Sequence, residues 1–308
     1  MIRRRHLAAL TGLAALPTIA LMNAASDAAA GLPLLESLKP SPRLPVMFVG
    51  HGSPMNAIED NAWRREWQVL GQELLARAVQ PQLVLCVSAH WLTRGGWYLT
   101  GMAQPKTIHD FGGFPQALFD QQYPAPGAPA VAQTLAHELQ QPAMHRPLGV
   151  DEGEWGLDHG TWSVLKPMFP AANIPVMQLS MDYSRPPAEH YALGQQLRAL
   201  RVRGVLIVGS GNVVHNLRAV RRDAPNDATY DWGAAFDDKV KTHVVDGNLG
   251  GLVDFQQWGA IAQQAHPTYE HYLPLLYAAG AVHPGETPRF FNTGFQLASI
   301  SMRSMLWG

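Results

Sequence analysis

The stretch LPVMFVGHGSP, residues 44–54, is an apolar run that stops abruptly at Gly50-His51-Gly52-Ser53-Pro54. An uninterrupted apolar run of this length, closed by Gly and Pro, is the pattern of a strand buried on both faces and followed by a loop. The pattern recurs at 83–87, which ends on Ser88-Ala89-His90-Trp91, at 174–179, and at 205–208, which runs into Gly209-Ser210-Gly211-Asn212. Between these runs, residues 58–79 bring Trp63, Trp67, Leu70 and Leu74 to one helical face. Residues 187–203, 229–247 and 268–279 also read as helices. The Gly-, Pro- and aromatic-rich segment 109–127 reads as a shaped loop, and 290–305 as a closing strand. Buried strands alternating with helices predict one α/β domain over 44–308, with a mostly parallel or mixed central sheet and helices on both faces.

The chain has 308 residues, of which 47% are apolar and only 15% charged, with a net charge of −1. That balance supports a large core and excludes the clustered Lys/Arg face of a nucleic-acid binder. The single cysteine, Cys86, excludes an intrachain disulfide framework and a cysteine-rich zinc site. Arg3, Arg4 and Arg5 precede a weakly apolar stretch and the small residues Ala28-Ala29-Ala30. This is the layout of an export signal over 1–30, similar to the twin-arginine type, and it predicts a periplasmic mature protein. The stretch is too short and too rich in Ala and Thr for a stable membrane span. Residues 31–43 read as a linker.

The thirteen histidines carry most of the functional information. His51, His90 and His215 each follow a predicted strand at its carboxyl end, where open α/β sheets place their ligands. Each has small neighbours, which allow close approach of a ligand to backbone. His159 lies between glycines in Gly156-Leu157-Asp158-His159-Gly160, and His109 precedes Asp110. His266 precedes Pro267; if Pro267 occupies a first helical turn, His266 stands at a helix mouth, with Glu270 one turn later. His6, His137, His145, His190, His243 and His283 have no such setting and read as ordinary surface or core residues. A thiolate-free, histidine-rich site favours Fe(II) or Zn(II), with manganese behind. No H-E-x-x-H, G-x-S-x-G, phosphate-binding loop or dinucleotide fingerprint is present.

Six collinear segments, GHGSPMNAIEDN (50–61), SAHWLTRG (88–95), HDFGGFPQALFDQQYPAPG (109–127), GLDHGTWSVLKPMFP (156–170), GSGNVVHNL (209–217) and AHPTYEHYLPLLYAAGA (265–281), resemble the class III, LigB-type extradiol ring-cleavage dioxygenases. The resemblance is greatest to the group typified by DOPA 4,5-dioxygenase. It implies an oxidoreductase of aromatic catabolism that inserts O2 into a catechol-type ring and yields a muconic semialdehyde. The implied metal ligands are His51, His90 and His266. His215 takes the acid–base position and stands as a fourth candidate ligand, and His159 contacts substrate or dioxygen. The wider superfamily uses two histidines and one carboxylate, so a third histidine leaves the metal less neutralised; Glu270 is the fallback carboxylate. An imidazole with an unperturbed pKa of about 6.5 suits the base role. Trp91, Phe111, Phe114, Tyr123 and Trp162 are available to sandwich a ring. The alternative from another class is a zinc-dependent hydrolase of a small amide or ester, with zinc-bound water as nucleophile.

Overall fold

The computed structural model describes residues 38–225 and 227–308. The expected export signal and the linker up to residue 37 lie outside them. The apolar run at 44–49 forms strand β1, Val46–Gly50, every residue of which is buried. It is followed in chain order by β2 (Leu83–Thr93), β3 (Tyr98–Thr100), β4 (Gly149–Asp151), β5 (Val176–Asp182), β6 (Val205–Gly211), β7 (Pro288–Phe291) and β8 (Ser304–Trp307). These eight strands form one sheet in the order β4-β3-β5-β2-β6-β1-β8-β7. The central four, β5, β2, β6 and β1, are mutually parallel, while β8 joins β1, and β7 joins β8, antiparallel. The sheet is therefore mixed, with a parallel centre, as the uninterrupted apolar runs require.

The main helices are α1 (Ala62–Leu75), α2 (Pro129–Glu138), α3 (His159–Met168), α4 (Pro187–Leu197), α5 (Asp231–Val245) and α6 (Leu273–Gly280). Successive strand residues point to opposite faces. Met47, Val49, Val84 and Cys86 pack with Trp67, Leu70 and Leu74 of α1 and Trp162 and Leu165 of α3. Val46, Phe48, Leu83 and Leu85 pack with Leu193 and Leu197 of α4, Phe236 of α5 and Leu276 of α6. Each large side chain so removed from water contributes about 1.5–3 kcal/mol. No described helix is long and apolar enough to cross a membrane.

Several boundaries differ from the sequence reading. Helix α1 starts at Ala62 because the Asn61 side chain accepts from Arg64 N at 3.0 Å, and a separate 3-10 turn, Pro54–Ala57, precedes it. The helix expected at 187–203 changes to 3-10 geometry at Arg198–Arg203 and ends on Gly204, whose φ is +71°. The helix expected at 268–279 begins only at Leu273, with Pro274 in its first turn. A short helix, Ala260–Ala265, precedes it instead and stops at His266, because the residue before a proline avoids helical geometry. The closing segment is not one strand: a hairpin, Phe295–Gln296 with Ile300–Ser301, separates β7 from β8.

Candidate metal centre

The carboxyl ends of the parallel strands meet at one rim. His51 directly follows β1, and its backbone N–H donates to Gly211 O of β6 at 3.0 Å. His90 lies within β2, which continues to Thr93; the pairing of β2 with β5 breaks register between Val87 and Leu92, around His90. His271 arrives on the turn before α6. Asn212 N donates to His271 O at 2.8 Å, and a side chain on Gly211 would sit 2.1 Å from that same oxygen. Only glycine at 211 lets this turn lie against the sheet. Gly160 has the same role on the other side, since a Cβ there would fall 2.3 Å from Ser88 Oγ and 2.9 Å from His90 Cδ2.

The hydrogen-bond network assigns the imidazole tautomers. Ser210 Oγ donates to Gly160 O at 2.5 Å, so it accepts from His51 Nδ1 at 3.0 Å, and His51 Nε2 carries a lone pair. Asp110 Oδ2 lies 3.3 Å from His90 Nδ1. Burial alone would raise the pKa of Asp110, but the hydrogen bond and charge of His159 and the charge of His90 outweigh it and hold the carboxyl at about 2. That nearby carboxylate charge favours the proton of His90 on Nδ1 and the lone pair on Nε2. Glu270 Oε1 accepts from His271 Nδ1 at 3.0 Å in the same way. Three Nε2 lone pairs thus converge. Ligand atoms of His51, His90 and His271 lie within 4.8 Å of one another. The Nε2 atoms of His51 and His90 are 3.2 Å apart. Facing lone pairs repel unless a cation lies between them, and two nitrogens bound tetrahedrally at ~2.0–2.1 Å stand about 3.3 Å apart. Burial first, and the neighbouring imidazoles second, hold all three histidines well below 6.5, in the neutral form a metal binds. These residues fit a metal ion.

Two further clusters, His90-Asp110-His159 and His215-Glu270-His271, consist of the same supporting contacts. Each places a carboxylate one hydrogen-bond length behind a converging histidine, an arrangement common around metal ligands. The charge that a three-histidine set leaves unbalanced is thereby supplied by Asp110 and Glu270. His159 opens α3; its Nδ1 lies 2.9 Å from Asp110 Oδ2 and its backbone N–H donates to Asp110 Oδ1 at 2.9 Å. The His215 ring stacks on His271 at 3.4 Å with an 8° interplanar angle. Burial, then the charges of His266 and His159, lower its pKa to about 3, so the unperturbed value expected from sequence does not hold. All five histidines, with Asp110, line one cavity of about 470 Å³.

His266, expected as the third ligand, is not brought to this rim. Its Nε2 lies 2.7 Å from Val213 O, and its ring packs against Phe236, Phe255 and Tyr272. Pro267 ends a helix instead of starting one, so the residue at the next helix mouth is His271. The sequence reading passed over His271. The available signal was Pro274, which does open a helix and has His271 three residues before it. Glu270, the fallback ligand, supports His271. Of the aromatic candidates, Phe111 and Phe114 line the cavity. Tyr123 and Trp162 are core residues, and Trp91 is buried and stacked on Trp155. His109 holds its own loop through Gln121 O at 2.9 Å.

The mixed α/β sheet carries a histidine-lined cavity at the carboxyl ends of its parallel strands, and the histidines there fit a metal ion. The profile of the catalytic LigB subunit of aromatic ring-opening dioxygenase matches residues 45–300, and the chain belongs to this family. It is an extradiol ring-cleavage dioxygenase by class. Among its relatives, the 4,5-DOPA dioxygenase extradiol of Escherichia coli (strain K12) is 46% identical over 275 residues, covering 87% of this chain and 96% of that protein. The 4,5-DOPA dioxygenase extradiol of Beta vulgaris is 34% identical over 242 residues, covering 76% and 85%. The crystal structure of an uncharacterized protein from Escherichia coli K12 superposes with a TM-score of 0.72 at 40% identity, covering 86% of this chain and 100% of that one.

Proposed function

We propose that this enzyme inserts both atoms of O2 into the ring of a DOPA-like catechol, yielding a muconic semialdehyde, with one Fe(II) or Zn(II) held by His51, His90 and His271. The observation that carries this reading is the convergence of three imidazoles, with hydrogen-bond acceptors on Nδ1 of His51 and His271 and the Asp110 carboxylate 3.3 Å from Nδ1 of His90. When bound, the metal supplies Lewis acidity toward the catechol oxygens and brings ring and dioxygen together. Phe111, Phe114, Leu217, Val220, Leu297 and Ile300 offer apolar surface to the ring. Arg222 lines the same cavity and has no ion pair among the described residues, which suits a substrate with an anionic side chain.

His215 is the proposed base. Burial keeps it neutral, ready to accept a catechol hydroxyl proton, and a catecholate charge beside it shifts its pKa back upward. His159, with Nδ1–H directed at Asp110, turns its Nε2 lone pair toward the substrate, where it can accept a hydrogen bond or a proton. Ring opening of this kind belongs to aromatic catabolism, and the arginine-led start of the chain supports a periplasmic location.

The test is metal analysis coupled to oxygen-electrode assays on a panel of catechols with and without a carboxylate side chain. The expected result is metal-dependent oxygen uptake, fastest with the DOPA-like members, and both atoms of 18O2 in the product. Hydrolysis of an amide or ester at undiminished rate under anaerobiosis would instead favour the zinc hydrolase.

A further inference from the structure

Asp110 is the one carboxylate in the cavity that faces two imidazoles of different roles. Its Oδ2 lies 2.9 Å from His159 Nδ1 and 3.3 Å from His90 Nδ1, and its Oδ1 accepts the His159 backbone N–H at 2.9 Å. It stands on the shaped loop between β3 and α2, so neither histidine's own element supplies it. The other two candidate ligands have other acceptors, Ser210 for His51 and Glu270 for His271. Among the described residues, Asp110 is the one of these acceptors that also hydrogen-bonds a second imidazole of the cavity, His159. We propose that Asp110 is a positioning residue that couples the metal centre to the proton chemistry of the cavity. It holds His90 with Nε2 toward the metal and His159 with Nε2 toward the substrate. This rests on the metal-site reading above.

The chemistry of the amide makes the proposal specific. In Asp110→Asn the backbone N–H of His159 cannot change sign, so the amide oxygen must stay at the Oδ1 place. The NH2 group then occupies the Oδ2 place and points a donor at both Nδ1 atoms. Both imidazoles satisfy it only by moving their protons to Nε2. His90 then loses the lone pair it offers the metal, and His159 presents the wrong tautomer to the cavity. Asp110→Glu restores a carboxylate acceptor.

The experiment is 15N NMR of the histidine side chains in metal-free protein, followed by Zn(II) and Fe(II) titration and steady-state assays at saturating metal. Wild-type His90 and His159 are expected as Nδ1–H tautomers, and both as Nε2–H in Asp110→Asn. Metal affinity should fall about 10–100-fold, as for other residues that support a ligand. kcat at saturating metal should fall a further ~10²–10⁴-fold, the range of a lost acid–base contribution, with KM changing less. Asp110→Glu should recover the wild-type tautomers and part of both losses. The proposal is overturned if either histidine of the wild type is an Nε2–H tautomer. It is also overturned if His159 keeps its tautomer in Asp110→Asn, or if that variant binds metal as tightly as wild type. The tautomer measurement needs neither metal nor a variant. A wild-type protein that binds no metal therefore contradicts the proposed function, while the tautomers still decide the coupling.

Discussion

The Nε2 atoms of His51 and His90 face each other across 3.2 Å, although the two residues come from strands β1 and β2, which are separated in the sheet by β6. Ser210 of the intervening strand accepts from Nδ1 of the first imidazole, and the Asp110 carboxylate lies 3.3 Å from Nδ1 of the second. His271 lies with them in the structure, whereas His266 faces Val213 O. His271→Ala is expected to retain less than a tenth of the wild-type metal, whereas His266→Ala retains most of it and is instead less stable by about 1–3 kcal/mol. Metal content by mass spectrometry and denaturant midpoints on both variants separate the roles. A metal-free His266→Ala alongside a loaded His271→Ala reverses them.

His215 stacks on His271 and has no side-chain hydrogen-bond partner among the described residues, the setting of a group that must move a proton. His215→Ala is expected to keep its metal and lose ~10²–10⁴-fold in catechol-dependent oxygen uptake. Loss of metal in this variant places His215 among the ligands and leaves His159 as the remaining base.

Much of this was legible in the sequence because it depends on local pattern. The runs at 44–49, 83–87, 174–179 and 205–208 each mark a strand of the parallel centre, and His51 and His90 stand where those strands deliver them. The glycines at 160 and 211 stood out for their smallness, but what they admit is the packing of Ser88, His90 and the His271 turn, not a ligand. What was not legible depends on contacts between distant segments. Nothing near Asp110 in sequence reveals that it meets His159, forty-nine residues away. The exchange of His266 for His271 turns on which of two prolines, Pro267 or Pro274, opens a helix, and local spacing allows both. The burial of Tyr123 and Trp162 is likewise set by where α3 packs.

Acid is expected to destabilise the metal-free protein through histidines that do not line the cavity as well as through those that do. Burial lowers His190 from its ordinary 6.5 to about 4, against the opposing effects of Arg185 O and Asp182, and lowers His266 to about 4. Above pH 6.5 both are neutral, folded or unfolded, and contribute no dependence. Between pH 6.5 and about 4 the unfolded chain binds protons that the folded one does not, so stability falls with falling pH, on the order of 1–3 kcal/mol per group, and levels off below about 4. Denaturant unfolding of chelator-treated protein at several pH values reads this directly. A stability that is flat from pH 7 to 4 contradicts it.

The N-terminal arginines and the alanines at 28–30 predict a mature protein that starts near residue 31 and resides in the periplasm. Intact mass spectrometry of protein from its native source should show that start. An uncleaved Met1 removes the export reading and leaves the catalytic account unchanged.

The central claim, a metal held at the strand ends by three imidazoles, is tested most directly by anomalous diffraction at the absorption edge of the bound metal. One peak is expected per chain, at about 2.0–2.1 Å from Nε2 of His51, His90 and His271 if the ion is zinc, with Asp110 and Glu270 outside its coordination sphere. A peak bonded to His266, or one centred on Asp110 and His159 with His51 unligated, would contradict the account.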